Sequence, residues 1–242
     1  MWARCLTTRS DFRNNNWNLN NRGSINAVNI YDYLDLVMYY ITIIMIFVSV
    51  CVAVIIYDTS KNRFSNRYLK ENYVIEITWI IVRSLILVLI SVRSIFLLYV
   101  LDELSAGVLT IKVIAVQWYW IYEICDLLGN KISFNSYTLD DDSIELFRLI
   151  EVDNALYLRI LTRIRLLVTS LDVILSFAIR SLGIKIDAIR SRLNSGNLLI
   201  LRESIYIGFC SELCGKFLSG MNIVLLGTKM KEFLSWFESN LE

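Results

Sequence analysis

The 242-residue chain has a formal net charge of +1, from 24 Lys and Arg against 23 Asp and Glu, and 56% of its residues are hydrophobic. The charge balance excludes a broad electrostatic partnership with nucleic acid, and so apolar a composition predicts membrane segments. Five cysteines, at 5, 51, 125, 210 and 214, have no disulfide-framework spacing, and proline and histidine are both absent, although a chain of this length ordinarily holds about a dozen prolines.

Residues 1–30 form a polar extension with Arg4, Arg9, Arg13 and Arg22 against Asp11 and a run of asparagines. It reads either as a targeting segment or as a disordered tail. Leu36 to Tyr57 is a charge-free stretch of 22 residues, long enough as a helix to cross a bilayer core of about 30 Å. The following loop, 58–73, carries Lys61, Arg63, Arg67 and Lys70 against Asp58 and Glu71, which places it on the inner side. The basic N-terminus pulls against that orientation. Val74 to Val100 is a second apolar stretch, interrupted by Glu76, Arg83 and Arg93. Glu76 lies near an end, but an arginine deep in a membrane helix costs about 2.5–3.5 kcal/mol unless it snorkels or meets a partner.

Beyond Glu103 the pattern changes. Runs 108–116 and 117–125 are rich in β-branched and aromatic residues and predict strands. Gly129-Asn130 signals a turn. Short runs at 145–152, 155–161, 164–170, 172–179, 184–189, 197–201, 204–209 and 221–226 predict further strands, evenly spaced as in a sandwich or barrel. Residues 228–241 read as a helix with Met230, Phe233, Leu234 and Phe237 on one face. The expected architecture is a membrane-anchored all-β protein: a hairpin of two helices within 31–103, then a β-domain over 104–242 that ends in a short helix.

Gly208-Phe-Cys210-Ser-Glu212-Leu-Cys214-Gly, followed by Met221, is the segment richest in chemistry. Two cysteines four apart can aim two thiolates at one metal. A zinc site would need a second Cys or His pair, which the chain lacks, whereas thiolates with a thioether in a β-domain point to copper. An ordinary loop with two cysteines is the alternative.

The segment resembles the copper loop of cytochrome c oxidase subunit II, Cys-Ser-Glu-x-Cys-Gly followed by His and Met, with Leu218 at the histidine position. Val116-Gln117-Trp118-Tyr119-Trp120-x-Tyr122-Glu123 is similar to the family's aromatic segment. Leu149-Ile-Glu151-Val-Asp153-Asn154 and Asp172 through Ala188 resemble two further motifs, and Glu76-Ile-Thr-Trp79 resembles the opening of its second helix. The resemblance spans about residues 24–242.

The resemblance implies an outward-facing cupredoxin-like β-barrel or sandwich holding a dinuclear copper centre. That centre takes electrons from cytochrome c for the haem of subunit I, in the mitochondrial inner membrane or, second, a bacterial plasma membrane. Cys210, Cys214, Met221 and the Glu212 carbonyl match copper ligands. Leu175 and Leu218 stand at the two histidine-ligand positions. The Glu212 side chain matches a magnesium ligand at the subunit I boundary. Trp118 matches the tryptophan at which electrons enter, while Trp120 fits a core aromatic better. Glu123, Asp126 and Asp172 match acids that dock cytochrome c. Glu76 matches the entrance of a proton path into subunit I.

The departures are patterned. Arginine stands at 83, 93, 159, 163, 180 and 190 where the family has proline. Leucine at 34, 36, 175 and 218, and valine at 116, replace histidine. Drift after loss of function would scatter replacements, and it would not spare Cys210, Glu212, Cys214 and Met221. Systematic conversion in the mature polypeptide, by editing, codon reassignment or a translation error, explains the pattern; a copper-free assembly subunit is the competing reading. A quinol-oxidase-type subunit would also have lost the cysteines. Nothing supports a nuclease, hydrolase or nucleotide-binding protein: there is no phosphate loop and no nucleophile–His pair.

Overall fold

The computed structural model describes residues 21–61, 72–102, 107–125, 131–139, 150–212 and 221–240. Residues 29–100 form one compact unit and the other described residues a second.

The first unit is built on α1 (Ile25–Lys61) and α2 (Tyr73–Asp102). The Ser24 hydroxyl oxygen accepts the Ala27 N–H at 3.0 Å, and the Asn72 carboxamide accepts from Val74 and Ile75 at 3.2 and 3.4 Å, so each helix starts on a side-chain cap. At 37 residues, α1 is about 55 Å long and begins eleven residues before the charge-free span, because hydropathy marks only the part suited to lipid. Ala27 is the only buried residue of α1 and α2 has none. Phe47, Ile55, Leu85 and Val92 are open to the surroundings. Helices apolar all round with bare surfaces belong in a membrane.

The second unit carries ten strands among the described residues: β1 Leu109–Val116, β2 Tyr119–Cys125, β3 Lys131–Ser136, β4 Leu156–Arg159, β5 Arg163–Ser170, β6 Leu175–Ile179, β7 Ile184–Ala188, β8 Asn194–Leu199, β9 Ser204–Cys210 and β10 Asn222–Thr228. They make two five-stranded sheets, ordered β3-β2-β1-β5-β8 and β4-β10-β9-β6-β7. The β1–β5 and β4–β10 pairs are parallel and the rest antiparallel. Alternation drives the layering: β2 buries Trp120, Tyr122 and Ile124 and turns the residues between them outward, and β9 buries Tyr206, Gly208 and Cys210. These faces meet in one core with Ile111, Leu166, Leu175 and Phe177, where the Trp120 and Phe177 rings pack edge to face at 5.4 Å.

Several expected elements shift. Gln117 and Trp118 form a turn instead of starting β2, and 172–174 are loop preceding β6. The 197–201 run is displaced to β8. Strand β3 was not expected, although Ile132 and Phe134 alternate with polar neighbours, a pattern too short to stand out. Most of 145–152 lies outside the described residues. In α3 (Met230–Ser239), Phe233 and Phe237 are buried, but Met230 and Leu234 are exposed. Trp236 packs instead, stacked on Tyr157 at 5.0 Å, because the helix rolls its aromatic edge onto the β3–β4 side.

Candidate metal centre

Strands β6 and β9 and the start of β10 bring three of the expected ligand positions, Leu175, Cys210 and Met221, to one end of their sheet. Phe177 stands opposite Cys210 across β6 and β9, and the Ser211 N–H donates to the Ser176 carbonyl at 3.3 Å, carrying the register onward. Leu175 and Phe177 share a face two residues apart, so Leu175 is the diagonal neighbour of Cys210 on the same inward face. On the other side of β9 the Cys210 N–H donates to the Met221 carbonyl at 3.2 Å. Cys210, Met221 and Leu175 are all buried, at 3%, 1% and 0% exposure.

The Cys210 thiol lies 3.7 Å from the Glu212 carbonyl oxygen and donates to it. Sulfur and the expected carbonyl ligand therefore already point at each other. Cys214 and Leu218 lie outside the described residues, and among the described residues no group of three or more His, Cys, Asp and Glu gathers. Cys210 and Met221 lie side by side in the core, with the Glu212 carbonyl next to the thiol, and soft sulfur residues favour copper among biological metals. Leu175, fully buried where a terminal imidazole is expected, offers no donor. The residues as they stand do not fit a complete dinuclear site.

Trp118 occupies the two-residue turn between β1 and β2 and is 45% exposed, whereas Trp120 is wholly buried. Its φ of 128° is one that bulky residues rarely adopt, a strain of order 1–3 kcal/mol. The Asp172 carboxylate accepts the Gln117 N–H at 3.3 Å. Glu123 faces Lys112 directly across β1 and β2, with Oε2 2.9 Å from Nζ, so its charge is partly answered within the domain. Asp126 lies outside the described residues. Glu76 sits in the exposed first turn of α2, where a carboxylate complements the helix dipole. Two further contacts support the site, Ser176 under Ser211 and Thr138 accepting the Asn222 N–H at 3.3 Å. They use a backbone carbonyl and a hydroxyl that carry no signature in sequence.

Four arginines at expected proline positions stand where proline fits. Thr228 bonds to Ile160 around its partner Arg159, so the Arg159 N–H points to the open edge of its sheet, the side proline tolerates. Arg163 is the first residue of β5. Arg180 opens the 3-10 turn Arg180–Leu182 after an extended Ile179 at φ −128°, ψ 103°, the conformation proline imposes on its predecessor. Arg190 is second in a turn closed by the Arg192 N–H on the Ile189 carbonyl at 3.3 Å, with Ser191 third at φ 61°. That is a type II turn, which favours proline at the Arg190 place. Arg83 and Arg93 lie inside continuous α2 instead, where the Arg83 guanidinium packs on the Trp79 ring at 4.5 Å.

A two-sheet sandwich with a sulfur site at one end, preceded by two membrane helices, defines a membrane-anchored subunit of the cupredoxin type. The periplasmic-domain model of cytochrome c oxidase subunit II matches residues 109–228 and the transmembrane-domain model matches residues 13–97. Cytochrome c oxidase subunit 2 of Schizosaccharomyces pombe is 43% identical over 85% of this chain and 86% of its own. That of Aedes aegypti is 41% identical over 82% and 87%. The solved periplasmic domain of subunit II from Bradyrhizobium japonicum is 39% identical, with a TM-score of 0.52, over 56% of this chain and 95% of its own. A second structure, in which a subunit II periplasmic domain forms a mixed disulfide with a thioredoxin-like protein, is 36% identical at a TM-score of 0.51, over 58% and 95%. The chain belongs to the cytochrome c oxidase subunit II family. It is a membrane-anchored subunit of a haem–copper oxidase, an oxidoreductase complex of the respiratory chain.

Proposed function

We propose that this subunit accepts electrons from cytochrome c and hands them on to subunit I, and that its mature polypeptide carries histidine at 175 and 218. The observation that carries the reading is the convergence of Cys210, Met221 and the Glu212 carbonyl beside Leu175. A protein with no use for copper has no evident reason to keep Cys210 and Met221 paired at one buried sheet end. The proline-ready backbone at 159, 163, 180 and 190 supports systematic conversion. Arginine stands for proline at six positions and leucine for histidine at four, a regularity that favours a systematic conversion over scattered drift.

In that form Cys210, Cys214, Met221, the Glu212 carbonyl and two imidazoles would make up the copper donor set, which supplies one-electron chemistry when loaded. Trp118 receives the electron at the surface. Asp126, Asp172 and, less freely, Glu123 steer the basic face of cytochrome c, an effect on association rate that fades with salt. The Glu212 side chain binds magnesium at the subunit I boundary, and Glu76 stands at the mouth of a proton path. We assign 1–30 as an extension, 31–103 as the membrane hairpin and 104–242 as the cupredoxin-like domain. The fungal and insect relatives favour the mitochondrial inner membrane, with the β-domain in the intermembrane space.

Buried Leu175 favours one second reading, a copper-free subunit kept for assembly. Metal analysis and near-infrared spectroscopy of the purified complex separate the two. The electron-accepting reading expects two coppers per subunit and a mixed-valence band, and absence of both with leucine at 175 and 218 establishes the assembly reading.

A further inference from the structure

The turn that bears Trp118 is held partly by residues outside it. Its backbone takes a φ of 128° at a bulky residue, the Trp118 N–H donates to the Val116 carbonyl at 3.0 Å, and Val116 pairs with Tyr119 across the turn. The loop between β5 and β6 bonds once to the end of β1 and once to the turn itself. The Leu171 N–H donates to the Ala115 carbonyl at 3.0 Å, and the Asp172 carboxylate accepts the Gln117 N–H at 3.3 Å. Asp172 is itself held, since its own N–H donates to the Ser170 hydroxyl at 3.3 Å, and that hydroxyl donates to the Val173 carbonyl. Three residues further on the same loop becomes β6 at Leu175. One short segment, 170–175, therefore joins the strained turn to the strand carrying a ligand position.

We propose that Asp172 is a positioning residue: its carboxylate clamps the 117–118 turn and fixes Trp118 relative to β6. This clamp acts through hydrogen-bond acceptance and is separate from the steering charge that the same carboxylate offers to a partner. The proposal rests on the reading that electrons enter at Trp118. A docking acid and a clamp make opposite demands at this position. Docking needs the negative charge and tolerates any geometry. The clamp needs an acceptor oxygen at one place and tolerates loss of charge, so asparagine serves the clamp and fails the docking role.

The test uses the assembled oxidase with Asp172→Asn, Asp172→Ala and, as reference, Trp118→Phe. Three quantities are read: KM for cytochrome c across ionic strength, the single-turnover reduction rate at saturating cytochrome c, and hydrogen exchange of the peptide holding the Gln117 amide. The clamp predicts that Asp172→Ala accelerates exchange at 117–118 and lowers the saturated rate several-fold, while Asp172→Asn retains both near the parent values and raises only KM. Equal saturated rates and equal exchange in the asparagine and alanine variants overturn it. Should Trp118→Phe leave the saturated rate unchanged, the assignment of Trp118 fails and the functional half of the proposal with it. The exchange comparison then decides by itself whether Asp172 holds the turn.

Discussion

The Cys210 N–H donates to the Met221 carbonyl at 3.2 Å, which sets the last residue of β9 beside the residue that leads into β10. Two sulfur-bearing side chains far apart in chemistry but eleven positions apart in sequence thus share one buried sheet end. The arrangement depends on how closely β9 approaches β6.

Gly208 sets that approach. A Cβ at 208 would run into the carbonyl oxygen of Ala178 on β6 and crowd the Ile179 side chain. Backbone cannot yield as a side-chain tip does, so Gly208→Ala should destabilise the domain by about 1–3 kcal/mol and reduce copper retention through the displaced Cys210. Thermal unfolding of the detergent-purified chain checks it, and an unchanged Tm would show that β9 is not so tightly seated.

Among the described residues the buried Tyr122 hydroxyl has no hydrogen-bond partner, and burial pushes its phenol pKa well up. Removing an unpartnered hydroxyl costs little or stabilises, so Tyr122→Phe should leave stability at neutral pH equal or higher. The folded pKa lies above the unfolded value of about 10. The parent's stability is therefore whole below about pH 10 and falls as pH rises beyond it, when only the unfolded phenol ionises. The phenylalanine variant should lose less over that alkaline range. Unfolding curves at neutral and alkaline pH decide the matter, and a clear loss at neutral pH would mean that the hydroxyl is satisfied.

How much was legible in the sequence follows from which physical signal each feature left. The membrane helices were legible because a charge-free run such as 36–57 has few other uses, although α1 extends past it on a serine cap that hydropathy does not register. The sandwich was legible from period-two runs such as Leu109–Val116. Strand β3 was not, since Lys131–Ser136 offers only Ile132 and Phe134 as apolar residues. The positions of Cys210 and Met221 came from motif order. Their side-by-side pairing, and the bond from Asp172 to Gln117 across 55 positions, depend on strand register, which no local pattern encodes.

Residues 58–73 should lie on the inner side and the β-domain on the outer side of an energy-coupling membrane. Protease added to sealed vesicles is then expected to cut within 107–240 and spare 58–73. Cleavage within residues 58–73 with protection of the β-domain reverses the topology.

Tandem mass spectrometry of the mature subunit across residues 172–190 and 208–222, taken from a complex whose copper content has been measured, tests the central claim most directly. The account predicts two coppers, histidine at 175 and 218, and proline at 180 and 190. Leucine at 175 and 218 in that same peptide pool would contradict it. With copper absent, that result makes the subunit a structural one; with copper present, the metal is held without the imidazoles this account requires.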